Sequence, residues 1–211
     1  MTDAPLSADD VAALLNVSRE TMECLSRYLD LLKRWQPAIN LVGPKSLDDP
    51  WRRHILDCAQ LLRHLPDDAG SIIDLGSGAG LPGIVLSIVT RRPIELIESD
   101  QRKALFLKEV IRILELEATV QVKRIEALSP MTADIVTARA LAPLARLLDI
   151  SAPLRGPNTV CLFLKGRRAK DELTDAGKSW KMRSEIFPSL SDSAASILKL
   201  WDIRRAPVHC Q

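Results

Sequence analysis

The chain is 211 residues long, 46% hydrophobic and 27% charged, with a formal net charge of +2. These are the proportions of an ordinary globular protein that can bury one good core, and they argue against long disordered regions. No apolar run approaches the roughly 20 residues that cross a bilayer, and the acidic start MTDAPLSADD is unlike a signal peptide, so a cytoplasmic protein without membrane association is expected.

The first 65 residues are helical in pattern. Met22, Leu25, Leu29, Leu32 and Trp35 recur at spacings of three and four, with Ser18 and Thr21 offering caps near the start. A second helix is predicted from about Asp49 to about Leu65, with Pro50 in its first turn and Trp51, Ile55, Cys58 and Leu62 on one face. The loop Pro37–Pro44 joins the two, and Pro66 to Gly70 breaks the pattern before the first strand. From there the order is strand 71–75, helix 80–90, strand 94–98, helix 101–115, strand 118–123, strand 134–138, helix 142–150 and strand 158–164. A helix after Lys165 and strands at Ser184–Phe187 and Ser196–Trp201 complete the chain. Strands alternating with helices predict an α/β protein: a Rossmann-like sandwich whose mostly parallel seven-stranded sheet carries helices on both faces. Residues 1–68 form a helical N-terminal extension packed on that core, and 69–205 form the main domain.

The most informative stretch is Ile72-Ile-Asp-Leu-Gly-Ser-Gly-Ala-Gly-Leu-Pro-Gly83. Two β-branched residues suit a fully covered parallel strand, and Asp74 closes the apolar run. Gly76, Gly78 and Gly80 then remove side chains where backbone amides can meet a ligand at a helix N-terminus. The spacing departs from G-x-x-x-x-G-K-[ST], which excludes a P-loop, and Leu81 stands where the dinucleotide fingerprint wants its third glycine. What remains is D-x-G-x-G-x-G followed by an acidic strand end, Glu98, whose acceptor-only carboxylate suits the two hydroxyls of a ribose. The bland alternative is a glycine turn that merely joins strand to helix.

Cys24, Cys58, Cys161 and Cys210 lie far apart with no C-x-x-C pair or histidine cluster, so reduced thiols and no metal site are expected. Cys161 lies in the apolar run Val160–Leu164 and is expected to be a buried, inert thiol. Charge is uneven: residues 1–50 hold five Lys/Arg against eight Asp/Glu, and residues 165–205 hold ten against six. A polyanion would therefore meet a local basic face.

The glycine turn with Glu98 resembles the S-adenosylmethionine-binding motif of class I methyltransferases. The resemblance extends to Trp35–Leu41, Arg53-His-Ile-Leu-Asp57, Asp74–Gly83, Glu98–Lys103 with Phe106-Leu107, Arg124-Ile-Glu126, Thr137–Pro143 and Leu164-Lys-Gly166. Together these are similar to the bacterial 16S rRNA guanine-N7 methyltransferase G family, also called glucose-inhibited division protein B. That resemblance implies S-adenosyl-L-methionine as cofactor, bound by Asp74, Gly76, Gly78, Gly80, Leu81, Glu98, Ile125, Glu126 and Arg139, with Arg139 also the catalytic residue at the target base. It implies a guanine at position 527 of 16S rRNA as target, in free rRNA or the small ribosomal subunit; a monomer is expected.

Guanine N7 has a free lone pair and no proton, so no general base is needed, and the lack of a Ser-His-Asp or Cys-His grouping agrees with that. The candidate RNA-binding residues are Arg53, His54, Lys103, Lys165 and Arg167; all but Lys103, which is expected at the cofactor rim, share a basic face with Arg52, Arg168 and Lys170. His54 either meets phosphate or faces water beside Asp57. Two other readings stand beside this one: an NAD-dependent oxidoreductase using the same turn, and a non-catalytic RNA-binding assembly factor with a vestigial cofactor fold.

Overall fold

A computed structural model describes residues 4–207. Helices α1 (Ala8–Leu15) and α2 (Arg19–Trp35) open the chain, each started by a serine. The Ser7 hydroxyl accepts from the Asp10 N–H while the Asp10 carboxylate accepts from the Ser7 N–H, and Ser18 accepts from the Thr21 N–H. The sequence pattern does not separate α1 because only Val11 of it is fully buried. The helix expected from Asp49 to Leu65 is irregular. Trp51–Leu56 is wound wide, as a π-helix; Asp57–Ala59 (α3) is regular; and Gln60–His64 tightens to a 3-10 helix.

Strands β1 (Ile72–Leu75), β2 (Ile94–Ile97), β3 (Ala118–Gln121), β4 (Ala133–Arg139), β5 (Arg155–Lys165), β6 (Trp180–Pro188) and β7 (Ser196–Arg205) form one sheet in the order β3-β2-β1-β4-β5-β7-β6. β7 alone is reversed, antiparallel to both β5 and β6, and the other pairs are parallel. Helices α4 (Gly83–Thr90), α5 (Gln101–Leu114), α6 (Leu144–Ile150) and α7 (Ala169–Ala176) cover the faces. α4 begins at Gly83 and not at residue 80, because Gly80 holds φ +90°, outside the helical region.

Alternation along each strand divides the core in two. Ile72, Ile94, Leu96 and Ile135 face one cluster with Leu25, Tyr28 and Leu32 of α2, Ile84 of α4 and Phe106 of α5. Ile73, Leu75, Ile97 and Val136 face the other, with Leu144 and Leu147 of α6 and Ala169 and Ala176 of α7. The N-terminal helices therefore share a core with α4 and α5, and Trp35 packs on Phe106 with ring centroids 5.7 Å apart. No helix among the described residues is long and apolar enough to cross a membrane.

The chain leaves β1 for β2 on one side and returns for β4 on the other, so a crevice opens between them at their carboxyl ends. Register fixes what lines up there. Leu75 lies opposite Ile97 on one side and Ala138 on the other, so Gly76, Glu98 and Arg139, the next residue of each strand, emerge side by side.

Candidate active site

The crevice holds about 750 Å³ and is walled by the glycine turn (Gly76–Ala79 and Leu81), the loop after β4 (Arg139–Pro143), the segment Leu41–Gly43 with Ser46, and Leu164–Gly166 at the end of β5. Arg53, His54 and Asp57 from the irregular helix close one side, and Ser191 to Ser196 before β7 close another. Gln36 shapes the Leu41–Gly43 wall: its side-chain carbonyl accepts from the Leu41 and Val42 N–H groups, and its amide donates to the Val42 carbonyl.

The turn has the backbone its glycines predict, with φ of +64° at Gly76, +56° at Gly78 and +90° at Gly80. A methyl group on Gly78 would meet only the Gly76 carbonyl, at 3.8 Å, so that amide plane is bare towards the crevice. One on Gly80 would strike Ile84 at 2.3 Å, so Gly80 serves packing against α4. Gly83, which lies outside the D-x-G-x-G-x-G motif, takes the role of the missing third glycine. A methyl there would lie 2.2 Å from Leu96 and 2.8 Å from the Asp74 carboxylate, so its bareness lets helix rest on strand.

Asp74 lies beneath this turn and does not line the crevice. Its buried carboxylate accepts from the Thr137 hydroxyl at 2.8 Å and the Gly83 N–H at 3.2 Å. Burial pushes its pKa up to about 6, against the opposing pull of hydrogen bonds from Ser77, Thr137 and Gly83. Glu98 is 7% exposed and supports the turn from the other side, accepting from the Gly78 N–H at 2.8 Å and the Asp100 N–H at 2.7 Å. Each oxygen keeps a second lone pair, although Glu98 stands behind the turn and does not itself line the crevice. Tyr28 of α2 reaches the same turn and donates to the Ala79 carbonyl at 2.8 Å.

Arg139 is held rather than loose. Its guanidinium donates to the Asp57 carboxylate at 2.6 Å and the Arg53 carbonyl at 2.9 Å, and faces His54 Nδ1 at 3.3 Å. Burial opposes its charge, yet neighbouring acidic groups, Asp57 among them, hold its pKa above the ordinary value. No sequence signal pairs Arg139 with Asp57, because the two lie far apart in the chain and only the fold joins them. Leu141 is another residue the motifs do not reveal: 37% exposed, it leans over Gly76 and gives the crevice an apolar wall.

Two of the expected RNA-facing residues stand elsewhere. His54 is 1% exposed, neither on a phosphate-binding surface nor facing water beside Asp57; burial, then the charges of Arg139 and Arg53, lowers its pKa to about 3. Lys165 is 9% exposed, with its ammonium on the Ala142 carbonyl at 2.6 Å and the Glu172 carboxylate at 2.8 Å. Both form crevice wall instead of outer surface, because a buried charge or ring must find partners inside. Arg52 of the proposed basic face is likewise spent, on Asp49 at 2.6 Å.

Arg53 remains half exposed at the crevice and pairs with Asp192 at 3.2 Å, and Arg167 is exposed beside Gly166. Lys103 lies in the first turn of α5, where Asp100 caps its N–H, and is not brought to the crevice. Ile125 and Glu126 follow β3 and do not line the crevice: Ile125 packs against the second core cluster, and Glu126 pairs with Arg146. Cys161 is fully buried with its pKa raised to about 12 by desolvation, as an inert thiol requires, and Cys58 is raised for the same reason. Cys24, Cys58 and Cys161 carry free thiols; Cys210 lies outside the described residues. Among the described residues no cluster of metal-ligating side chains is present.

The sheet order, the switch-point crevice and the glycine turn backed by an acidic strand end together define an α/β methyltransferase of the Rossmann-like kind. A methyltransferase from Aquifex aeolicus described as S-adenosylmethionine-dependent shares the fold, at a TM-score of 0.58 and 17% identity, over 74% of this chain and 95% of its own. The family model for rRNA small subunit methyltransferase G matches residues 21–197. Proteins named ribosomal RNA small subunit methyltransferase G from Gluconobacter oxydans and Rhodospirillum centenum are 52% and 50% identical. The first match covers 91% of this chain and 99% of its relative, the second 93% and 91%. The chain belongs to the rRNA small subunit methyltransferase G family. Neither the oxidoreductase nor the non-catalytic reading finds support in these relatives.

Proposed function

We propose that the protein transfers the methyl group of S-adenosylmethionine to N7 of a guanine in small-subunit rRNA, with residues 1–68 serving as a helical extension that completes the active site. The observation that carries this reading is identity of about one half, over nine-tenths of the chain, with proteins named for that class of reaction. The crevice fits the cofactor: bare backbone at Gly78 admits a ligand edge, and Glu98 stands behind the turn with lone pairs for ribose hydroxyls. Ile125 and Glu126 would bound the adenine end from their place after β3, and Lys103 the outer rim. When bound, S-adenosylmethionine supplies a methyl already activated by a sulfonium, so the remaining task is alignment.

In-line displacement needs the acceptor lone pair on the axis of the breaking bond at near-attack distance. Leu141 and Leu81 give that part of the crevice an apolar wall. Arg139 has guanidinium N–H groups to donate to guanine O6 or to a phosphate, which would hold the base without touching N7. No residue need remove a proton from N7. Arg53 and Arg167 supply phosphate contacts at the crevice mouth.

Tritiated methyl transfer to undermodified 30S subunits and to free 16S rRNA, followed by mapping of the labelled base, tests the reading. Label in N7-methylguanosine at a single position is expected; label at an exocyclic amine, or none on either substrate, would overturn it.

A further inference from the structure

We infer that Asp57, with His54 beside it, is a positioning residue that aims the Arg139 guanidinium into the crevice. The inference rests on the reading above, in which Arg139 touches the target nucleotide or the cofactor, and it adds how that side chain is directed.

A guanidinium is planar with five N–H donors in a fixed fork, so restraining three of them fixes where the rest point. Here one Nη1–H goes to Asp57 Oδ2 and the other to the Arg53 carbonyl, and one Nη2–H faces His54 Nδ1. The same side chain also hydrogen-bonds Cys58, and what remains of its donors is open to a ligand in the crevice that Arg139 lines. Arg53, His54 and Asp57 lie in or next to the wide winding of Trp51–Leu56 and meet the end of β4 together.

Two of the three restraints, His54 and Asp57, are themselves restrained. The Ser46 hydroxyl donates to the Gly43 carbonyl, so toward His54 Nε2, 3.0 Å away, it can only accept. That places the imidazole proton on Nε2 and leaves Nδ1 as an acceptor facing Arg139. The second oxygen of Asp57 accepts from the Ser191 hydroxyl and from the Gln60 amide. Gln60 in turn donates to Ser189 and accepts from the Leu190 N–H. One carboxylate thus joins the N-terminal helices, the end of β4 and the segment between β6 and β7. An anchor that only neutralised Arg139 would need none of this directional detail.

The test is a double-mutant cycle on methyl transfer to undermodified 30S subunits, using Asp57→Asn, Arg139→Ala and the pair. If Asp57 acts through Arg139, Asp57→Asn should lower kcat by about 100-fold, as a misaligned group does, with KM within about twofold. The double variant should then be no slower than Arg139→Ala alone. Multiplying losses, or an unchanged kcat in Asp57→Asn, would overturn the inference. A second readout needs no catalysis: the Arg139 guanidinium protons should give resolved NMR signals in the wild type that collapse in Asp57→Asn. Signals that stay resolved refute the aim of Arg139 even if the wild type proves to methylate no RNA, which is the separate failure of the functional reading. Should Asp57→Asn not fold, His54→Asn keeps an acceptor near the place of Nδ1 and His54→Leu removes it. The first should retain most of kcat and the second lose it; equal rates would overturn the inference.

Discussion

Gly78 and Gly83 belong to one turn, yet a methyl group added to each meets different surroundings, and this separates binding from folding at single-atom resolution. At Gly83 it would press on Leu96 at 2.2 Å and Asp74 at 2.8 Å, inside a core with no room to shift. Gly83→Ala should therefore cost about 3 kcal/mol of stability, read by urea unfolding. At Gly78 the space is open and only the positive φ is strained, at about 1 kcal/mol. Gly78→Ala should stay folded yet lose at least about tenfold in calorimetric affinity for S-adenosylhomocysteine, because the new carbon stands where the ligand approaches. Unchanged affinity would remove the turn from the cofactor site. Two buried titratable groups add a pH signature of opposite signs. The pKa of Asp74 rises from 3.8 to about 6 on folding, so its contribution to stability is full below 3.8 and lost as pH rises through 6. That of His54 falls from 6.5 to about 3, so its contribution is full above 6.5 and lost as pH falls through 3. The stability gap between wild type and His54→Asn should thus shift against the wild type on acidification from pH 7 to pH 4. For Asp74→Asn the gap should shift in favour of the wild type over the same range. Chemical denaturation at each pH reads both, and equal slopes would show that these groups do not titrate as buried.

At the scale of elements, α2 does more than cover the sheet. Its Tyr28 is fully buried and its hydroxyl satisfies the Ala79 carbonyl in the middle of the glycine turn. Tyr28→Phe would leave that carbonyl without a partner in the interior, at a cost of about 1–3 kcal/mol, and should loosen the turn. The expected outcome is a lower Tm together with faster amide exchange at Gly78 and Gly80; a lower Tm without the exchange change would confine Tyr28 to packing. No periodicity in α2 announces this contact, since Tyr28 reads as one more core position on an amphipathic helix. β1 and β2, by contrast, were legible because strands buried on both faces are written as continuous apolar runs, and α5 because Asp100 marks its start. The sequence pattern of β6 reaches only from Ser184 to Phe187 because most of its side chains face water, and the strand from Trp180 to Pro188 is held by its ladder to β7 rather than by a pattern. The π winding before α3 had no signal of its own: the segment's apolar spacing fits an ordinary helix, and its unusual turn shows only in the partners that Arg53, His54 and Asp57 find at β4.

Across the whole molecule, the charge that sequence assigns to one basic face is divided by burial into two kinds. Arg52 and Lys165 hold internal partners and support the wall, whereas Arg167, Arg168 and Lys170 stay exposed where β5 passes into α7, beside the crevice. A count along the chain cannot make that division, since a lysine at a strand end looks the same whether the next loop folds over it or away. The two kinds should answer different experiments. Phosphate contacts release counterions, so binding of 16S rRNA should weaken linearly in log–log form with salt, with a slope that reports how many cations engage. Arg167→Ala with Arg168→Ala should flatten that slope by about 1–2 and leave unfolding unaffected. Lys165→Met should do the reverse. It removes the ammonium from between the Ala142 carbonyl and Glu172 and leaves a carboxylate in a mostly buried wall, at a cost of about 3 kcal/mol in urea unfolding, with the salt slope unchanged. If Lys165→Met flattens the slope and spares stability, Lys165 is a phosphate contact after all and the crevice wall opens on binding RNA.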